Sequence, residues 1–106
     1  MVQLYPLFAD IAGRRVVVVG GGPIAEKKAR SLLDAAAQVI LISPQVTEQI
    51  EQWHHDGQIE VIARPYAQGD VAGAWLVIVA CGQQEVNRQI HQECLERRIF
   101  CNVVDV

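Results

Sequence analysis

Four consecutive valines, Val16 to Val19, run directly into the glycines 20–22, and a helical pattern begins immediately afterwards. A continuous β-branched run is typical of a strand buried on both faces, as in a parallel sheet covered by helices. Gly20, Gly22 and Ala25 satisfy the spacing G-x-G-x-x-(G/A). In that fingerprint the first glycine permits a tight turn, the second lets a pyrophosphate approach the backbone, and the small third residue allows close helix–strand packing. The stretch therefore predicts a dinucleotide-binding turn between a strand and a helix.

The start of this helix offers free backbone N–H groups and the positive end of the helix dipole to an anion. Pro23 removes one donor but suits the first helical position, so the amides from Ile24 onward are the candidates. A typical dinucleotide site also has an acid about 20 residues further on, which binds the ribose. Here the second strand ends in Ser43, Pro44 and Gln45, without a carboxylate or a cation. Ser43 and the nearby backbone amides are the local candidates, and these residues leave NAD and NADP both open.

The rest of the chain alternates buried strands with helical stripes. Apolar runs predict four more strands, at residues 38–42, 59–63, 75–80 and 99–104. Ser43 and Pro44 are predicted to be the N-cap and first residue of the second helix. This alternation indicates an α/β fold, a Rossmann-like three-layer sandwich with a parallel sheet of five strands. Right-handed crossovers on both faces give the strand order 3-2-1-4-5.

Three segments, residues 20–24, residues 80–83 and Asp105, meet at the carboxyl edge of this predicted sheet, where ligands bind in open α/β folds. Ala80 and Cys81 are therefore candidate cofactor contacts. Asp105 is the candidate acid or base, because a carboxylate partly desolvated beside a cofactor can accept a proton. The alternative for Asp105 is a solvated side chain at a strand end. The apolar residues within 1–13 are expected to form a flap over the sheet.

Composition narrows the function. The 106 residues are expected to form one domain, 1–106, which is 51% hydrophobic and 20% charged. A net charge of −3 gives no reason to expect nucleic acid or a membrane as partner. Three cysteines without a C-x-x-C pair or a disulfide pattern favour the reducing cytoplasm. His54 and His55 would point about 100° apart on a helix, so no metal site is predicted.

Four blocks of the sequence resemble the N-terminal domain of siroheme synthase and the related precorrin-2 dehydrogenase and sirohydrochlorin ferrochelatase proteins. The blocks are Y-P-L-F at 5–8, V-V-G-G-G-P-I-A-E-K-K-A at 18–29, W-L-V-I-V-A at 75–80 and R-R-I-F-C-N-V-V-D at 97–105. The resemblance implies NAD-dependent oxidation of precorrin-2 to sirohydrochlorin, followed in some members by insertion of ferrous iron. It also implies that Asp105 is the proton acceptor in both steps, and that Pro23-Ile24 and Pro44-Gln45 are cofactor-contacting turns.

The resemblance has further consequences. The loop after the fourth strand is usually A-T-D-D in this family, whereas this chain has Ala80-Cys81-Gly82-Gln83. Family members continue into a dimerisation region, so we expect this chain to be a fragment of a longer, homodimeric polypeptide. An alternative hypothesis, from a different functional class, is a regulatory module that senses NAD(H) or a nucleotide without catalysis. Such a module needs no catalytic carboxylate at the sheet edge.

Overall fold

The computed structural model describes residues 5–104. In chain order the elements are β1 (Arg15–Val19), α1 (Pro23–Asp34), β2 (Gln38–Ile42), α2 (Glu48–His55), β3 (Glu60–Ile62), β4 (Leu76–Val79), α3 (Gln84–Arg97) and β5 (Phe100–Val103). All the strand pairs are parallel, and the order across the sheet is β3-β2-β1-β4-β5. The predicted Rossmann-like fold and strand order are confirmed.

The valine strand β1 lies at the centre of the sheet because it is apolar on both faces. Val16 and Val18 pack in the core on the side of α1 and α2, and Val17 and Val19 pack in the core on the side of α3. Full burial of one such side chain contributes about 1.5–3 kcal/mol. Ala25 of α1 is completely buried, so the helix approaches the strand closely. This packing fixes the glycine turn that joins β1 to α1.

The segment between β2 and α2 differs from its prediction. The Ser43 hydroxyl donates to the Gln45 carbonyl at 2.6 Å and does not cap the helix. Thr47 is the N-cap instead, and its hydroxyl accepts a hydrogen bond from the Ile50 N–H at 3.2 Å. The Thr47 N–H donates to the Gly21 carbonyl at 3.0 Å. The prediction that Ser43 is the N-cap and Pro44 the first residue of this helix is wrong, because residues 43–47 form a loop bound to the glycine turn.

The connection from β3 to β4 consists of turns and contains no helix. Its backbone is held by the Asp70 carboxylate, which accepts hydrogen bonds from Arg64 at 2.7 and 2.8 Å and from the Ala67 N–H at 2.7 Å. The Arg64 guanidinium lowers the pKa of Asp70. Val71 and Ala74 of the same connection are buried in the core on the side of α3. Side chains therefore position this connection where most crossovers would use a helix.

The N-terminal segment predicted to be a flap faces β5 across an open cavity of about 840 Å³, which Tyr5, Pro6 and Leu7 line together with residues 100–103. Residues 5–10 are exposed, and Phe8 is fully so. Burial begins at Ile11, whose carbonyl accepts a hydrogen bond from the Arg14 N–H at 2.9 Å. Residues 1–4 of the predicted flap lie outside the described range. None of the described helices combines the length and apolar character that a membrane crossing needs.

Candidate functional site

A cleft of about 670 Å³ opens at the carboxyl edge of the sheet, over the ends of β1, β2 and β4. The strand order reverses between β1 and β4, so the cleft occupies the switch point at which open α/β sheets bind ligands. Its lining comprises residues 19–22, 42–47, 65–66, 80–83 and 86. None of these lining side chains carries a charge. An anion in this cleft would therefore be bound chiefly by the main chain.

The glycine turn is built for close approach. Gly20 has φ +131°, and a methyl group there would lie 2.8 Å from the carbonyl carbon of Ala80. A methyl group on Gly21 would lie 2.7 Å from the Ser43 hydroxyl oxygen. Both glycines are therefore required for the turn to fit between the ends of β2 and β4. At Gly22, by contrast, a methyl group would meet nothing within 4 Å. The space above Gly22 is open to a ligand.

The start of α1 supplies hydrogen-bond donors beside this open space. Gly22 is the N-cap and makes no side-chain capping bond, and Pro23 is the first helical residue. The first helical bond runs from the Glu26 N–H to the Gly22 carbonyl at 2.9 Å. The N–H groups of Ile24 and Ala25 have no hydrogen-bond partner among residues 5–104. Ala25 is completely buried, whereas Ile24 is partly exposed, so the Ile24 N–H is the unsatisfied donor that this helix N-terminus can present to a phosphate.

Most of the predicted cofactor contacts lie together. The cleft is lined by Gly20, Gly22, Ser43, Pro44, Gln45, Ala80 and Cys81. Pro23 and Ile24 are in the first turn of α1, next to Gly22, and are not part of the cleft lining. Asp105, the predicted catalytic residue, lies outside the described residues. Its role therefore stays a prediction.

The cleft also contains residues that the sequence patterns did not single out. Pro65 and Tyr66 reach it from the β3–β4 connection, and Val86 reaches it from the first turn of α3. The strand order offered a signal for Tyr66, because β3 ends at the same edge of the sheet as β2. In the spacing G-x-G-x-x-(G/A), Gly21 occupies a variable position, yet the structure leaves no room for a side chain there.

The cysteines differ in their access to the site. The Cys81 thiol lines the cleft and donates to the Asn87 side-chain oxygen at 3.2 Å. Burial raises the pKa of the Cys94 thiol to about 12 and also raises the pKa of Cys101. Within residues 5–104, no group of three or more His, Cys, Asp or Glu side chains is arranged to bind a metal ion.

The fold and the cleft together define a dinucleotide-binding Rossmann domain. The cleft lies at the switch point of the sheet, the space above Gly22 is open, and the start of α1 leaves backbone N–H groups unsatisfied. A family model described as "Putative NAD(P)-binding" matches residues 7–106, and the chain belongs to this family. The cofactor is therefore a nicotinamide adenine dinucleotide, as predicted.

Individual relatives extend this result. Siroheme synthase 1 of Aeromonas hydrophila subsp. hydrophila is 44% identical over 100 residues, which cover 94% of this chain and 22% of the relative. Siroheme synthase of Edwardsiella ictaluri is 40% identical over 101 residues, or 95% of this chain and 22% of the relative. The solved structure of "SirC, precorrin-2 dehydrogenase" has a TM-score of 0.78 and 31% identity, and the match covers 83% of this chain and 44% of that chain.

These matches confirm the resemblance to the N-terminal domain of siroheme synthases. They extend over nearly all of this chain, yet the chain spans only about a fifth of the length of the curated relatives it matches.

Proposed function

We propose that this chain is the NAD-binding domain of an enzyme that oxidises precorrin-2 to sirohydrochlorin in siroheme biosynthesis. The observation that carries the proposal is the open space above Gly22, at the uncapped start of α1. The names of the relatives supply the substrate: siroheme synthase and precorrin-2 dehydrogenase. When bound, the nicotinamide ring supplies the redox chemistry by accepting a hydride.

The residues of the cleft would divide the work of binding. The Ile24 N–H holds the pyrophosphate, helped by the dipole of α1. The loop that contains Ser43, Pro44 and Gln45 borders the adenosine ribose, because it follows β2, where this fold recognises that sugar. Residues 80–83 follow β4 and border the nicotinamide half on the other side of the switch point.

We further propose that Asp105 accepts the proton released when precorrin-2 is oxidised. The support is the match of R-R-I-F-C-N-V-V-D, residues 97–105, to the family pattern. Val104, the preceding residue, donates its N–H to the Val79 carbonyl at 2.8 Å and so continues the β4–β5 pairing to the carboxyl edge. The resemblance extends the same proposal to a second step at Asp105, the insertion of ferrous iron as substrate into sirohydrochlorin.

The test uses the full-length protein with NAD and precorrin-2, and it follows the absorbance of NADH together with direct NAD binding. The proposal expects NADH formation in the wild type and loss of turnover with retained NAD affinity in Asp105→Ala and Asp105→Asn. NAD binding without NADH formation would refute the dehydrogenase. An absence of NAD binding would refute the cofactor site as well.

The second candidate is a module that senses NAD(H) or a nucleotide and regulates a partner without catalysis. The uncharged lining of the cleft favours it, since residues 80–83 lack the two carboxylates usual at this position in the family. Under this function, Asp105→Ala leaves the regulatory behaviour unchanged. For either function we propose a cytoplasmic protein that is a homodimer at full length, and sedimentation of the full-length protein tests the latter.

A further inference from the structure

Glu93 is a buried carboxylate, and nothing in the proposed cofactor chemistry explains it. It lies on α3 with 6% of its surface exposed, the one buried charged residue among residues 5–104. A buried charge is unfavourable unless it is paired and hydrogen-bonded. Here both carboxylate oxygens are used. Oε1 accepts from the Tyr66 hydroxyl, and Oε2 accepts from the Gly69 N–H and the Arg97 Nε, both at 2.9 Å.

Two of these three donors belong to the β3–β4 connection. Tyr66 and Gly69 come from a segment without a helix, so side-chain contacts hold this segment in place. The Glu93 carboxylate ties that segment to α3, and Arg97 balances its charge from the next turn of the same helix. The result is a defined position for Tyr66, set by a residue 27 positions away in sequence.

Tyr66 is thereby held in the wall of the cleft. Its ring is half-buried, packs against the core on the side of α3 and lines the cleft beside Pro65. Its hydroxyl is already committed to Glu93, which leaves the ring as the surface that can meet a ligand. Tyr66 also follows β3, and β3 pairs with β2, whose end carries the loop assigned to the adenosine ribose. The ring therefore belongs to the adenosine half of the cleft.

We propose that Tyr66 is the aromatic wall against which the adenine ring of the bound dinucleotide stacks, and that Glu93 is its positioning residue. This inference rests on the proposed cofactor site and adds a residue that binds the adenine to it. The lining side chains around Tyr66 offer no charge, so an aromatic face is the strongest available contact for a base. Stacking of a base on an aromatic ring is sequence-tolerant and is lost when the ring is replaced by alanine.

The experiment titrates the chain separately with NAD, AMP and nicotinamide mononucleotide, followed by NMR, with circular dichroism to verify folding. Tyr66→Ala is expected to weaken NAD and AMP binding by about 10- to 100-fold and to leave nicotinamide mononucleotide binding within about twofold. Tyr66→Leu keeps apolar bulk without an aromatic face and is expected to show the same loss. In the wild type, AMP should shift the Tyr66 ring protons through ring currents.

Glu93 is tested by rescue. Glu93→Ala frees the Tyr66 hydroxyl and is expected to weaken AMP binding by about threefold to tenfold, while Glu93→Gln, which can still accept from Tyr66, restores most of the affinity. A purely structural role would weaken AMP and nicotinamide mononucleotide equally, and this result would overturn the inference. Unchanged NAD and AMP affinity in folded Tyr66→Leu would overturn it too, and would leave the cofactor site standing. Failure of the wild type to bind NAD would instead refute the proposed function itself.

Discussion

The substitution Gly22→Ala separates ligand binding from folding. The added methyl group meets no atom within 4 Å in the protein, and the backbone at Gly22, with φ −86° and ψ −167°, is one that alanine adopts freely. Alanine is less favourable than glycine at an N-cap by roughly 0.5–1 kcal/mol. The reduced freedom of the unfolded chain offsets this by about 0.4–1 kcal/mol. The free energy of unfolding should therefore change by less than about 0.5 kcal/mol.

The same methyl group occupies the space assigned to the pyrophosphate. A phosphate displaced from the start of α1 loses its hydrogen bond to the Ile24 N–H. Hydrogen bonds to a charged group are worth about 1.5–3 kcal/mol each. Losing this bond costs about 1.5–3 kcal/mol, which raises the Kd for NAD by about 10- to 150-fold. Calorimetric titration with NAD and denaturation in urea measure the two quantities on one sample.

Gly57→Ala is the matched control. Gly57 lies remote from the cleft at the end of α2, and its φ of +76° is one that alanine tolerates poorly. We expect this variant to lose about 1 kcal/mol of stability and to bind NAD like the wild type. The two variants thus predict opposite outcomes for one chemical change. An NAD affinity within threefold of wild type in Gly22→Ala would refute the placement of the pyrophosphate.

Three further predictions concern neighbouring residues. Gly20→Ala should lower stability by about 2–3 kcal/mol in thermal or urea unfolding, because a positive φ and the Ala80 carbonyl both exclude its methyl group; a wild-type melting temperature would contradict this. NAD should slow the alkylation of Cys81 by iodoacetamide, as measured by peptide mass spectrometry. Cys94, with its pKa of about 12, should react only on unfolding. Equal Cys81 alkylation rates with and without NAD would count against the site. Arg64 lowers the pKa of Asp70, so ionised Asp70 stabilises the fold above its ordinary pKa of 3.8, and this stabilisation is lost as the pH falls through the lowered value. Asp70→Asn should therefore be less stable than wild type at neutral pH, with the difference shrinking in acid, and a pH-independent difference in urea unfolding would disprove the linkage.

The fold could be predicted because its signals are local. The valines of β1 predict a strand buried on both faces, and the glycines that follow predict the turn. Once the order of strands and helices is known, crossover handedness leaves few topologies. The same reasoning brings residues 20–22, 43–45 and 80–81 to one edge, and the structure has them lining one cleft.

The start of α2 was predicted wrongly because the Ser43 hydroxyl has more than one local hydrogen-bond partner available. Serine is a residue type favoured at N-caps, but the Ser43 hydroxyl donates to the Gln45 carbonyl, and Thr47 is the N-cap instead. The reason lies outside that segment: the Thr47 N–H bonds to the Gly21 carbonyl, and a side chain on Gly21 would collide with Ser43. A contact between two loops thus determines where α2 begins. The pattern of apolar residues within 43–55 contains no sign of this contact.

Tyr66 escaped the sequence patterns for a related reason, and its case shows how the two halves of the cleft differ. The pyrophosphate side is formed by the main chain, so the sequence pattern that predicts it is a local run of glycines. The adenosine side lacks the usual acid and is bordered by a helix-free connection, which Asp70 and Glu93 hold through side-chain hydrogen bonds. Such bonds join residues far apart in sequence and leave no spacing rule. Affinity for the phosphates can therefore be inferred from the glycine fingerprint, whereas binding of the base depends on contacts that only the folded chain brings together.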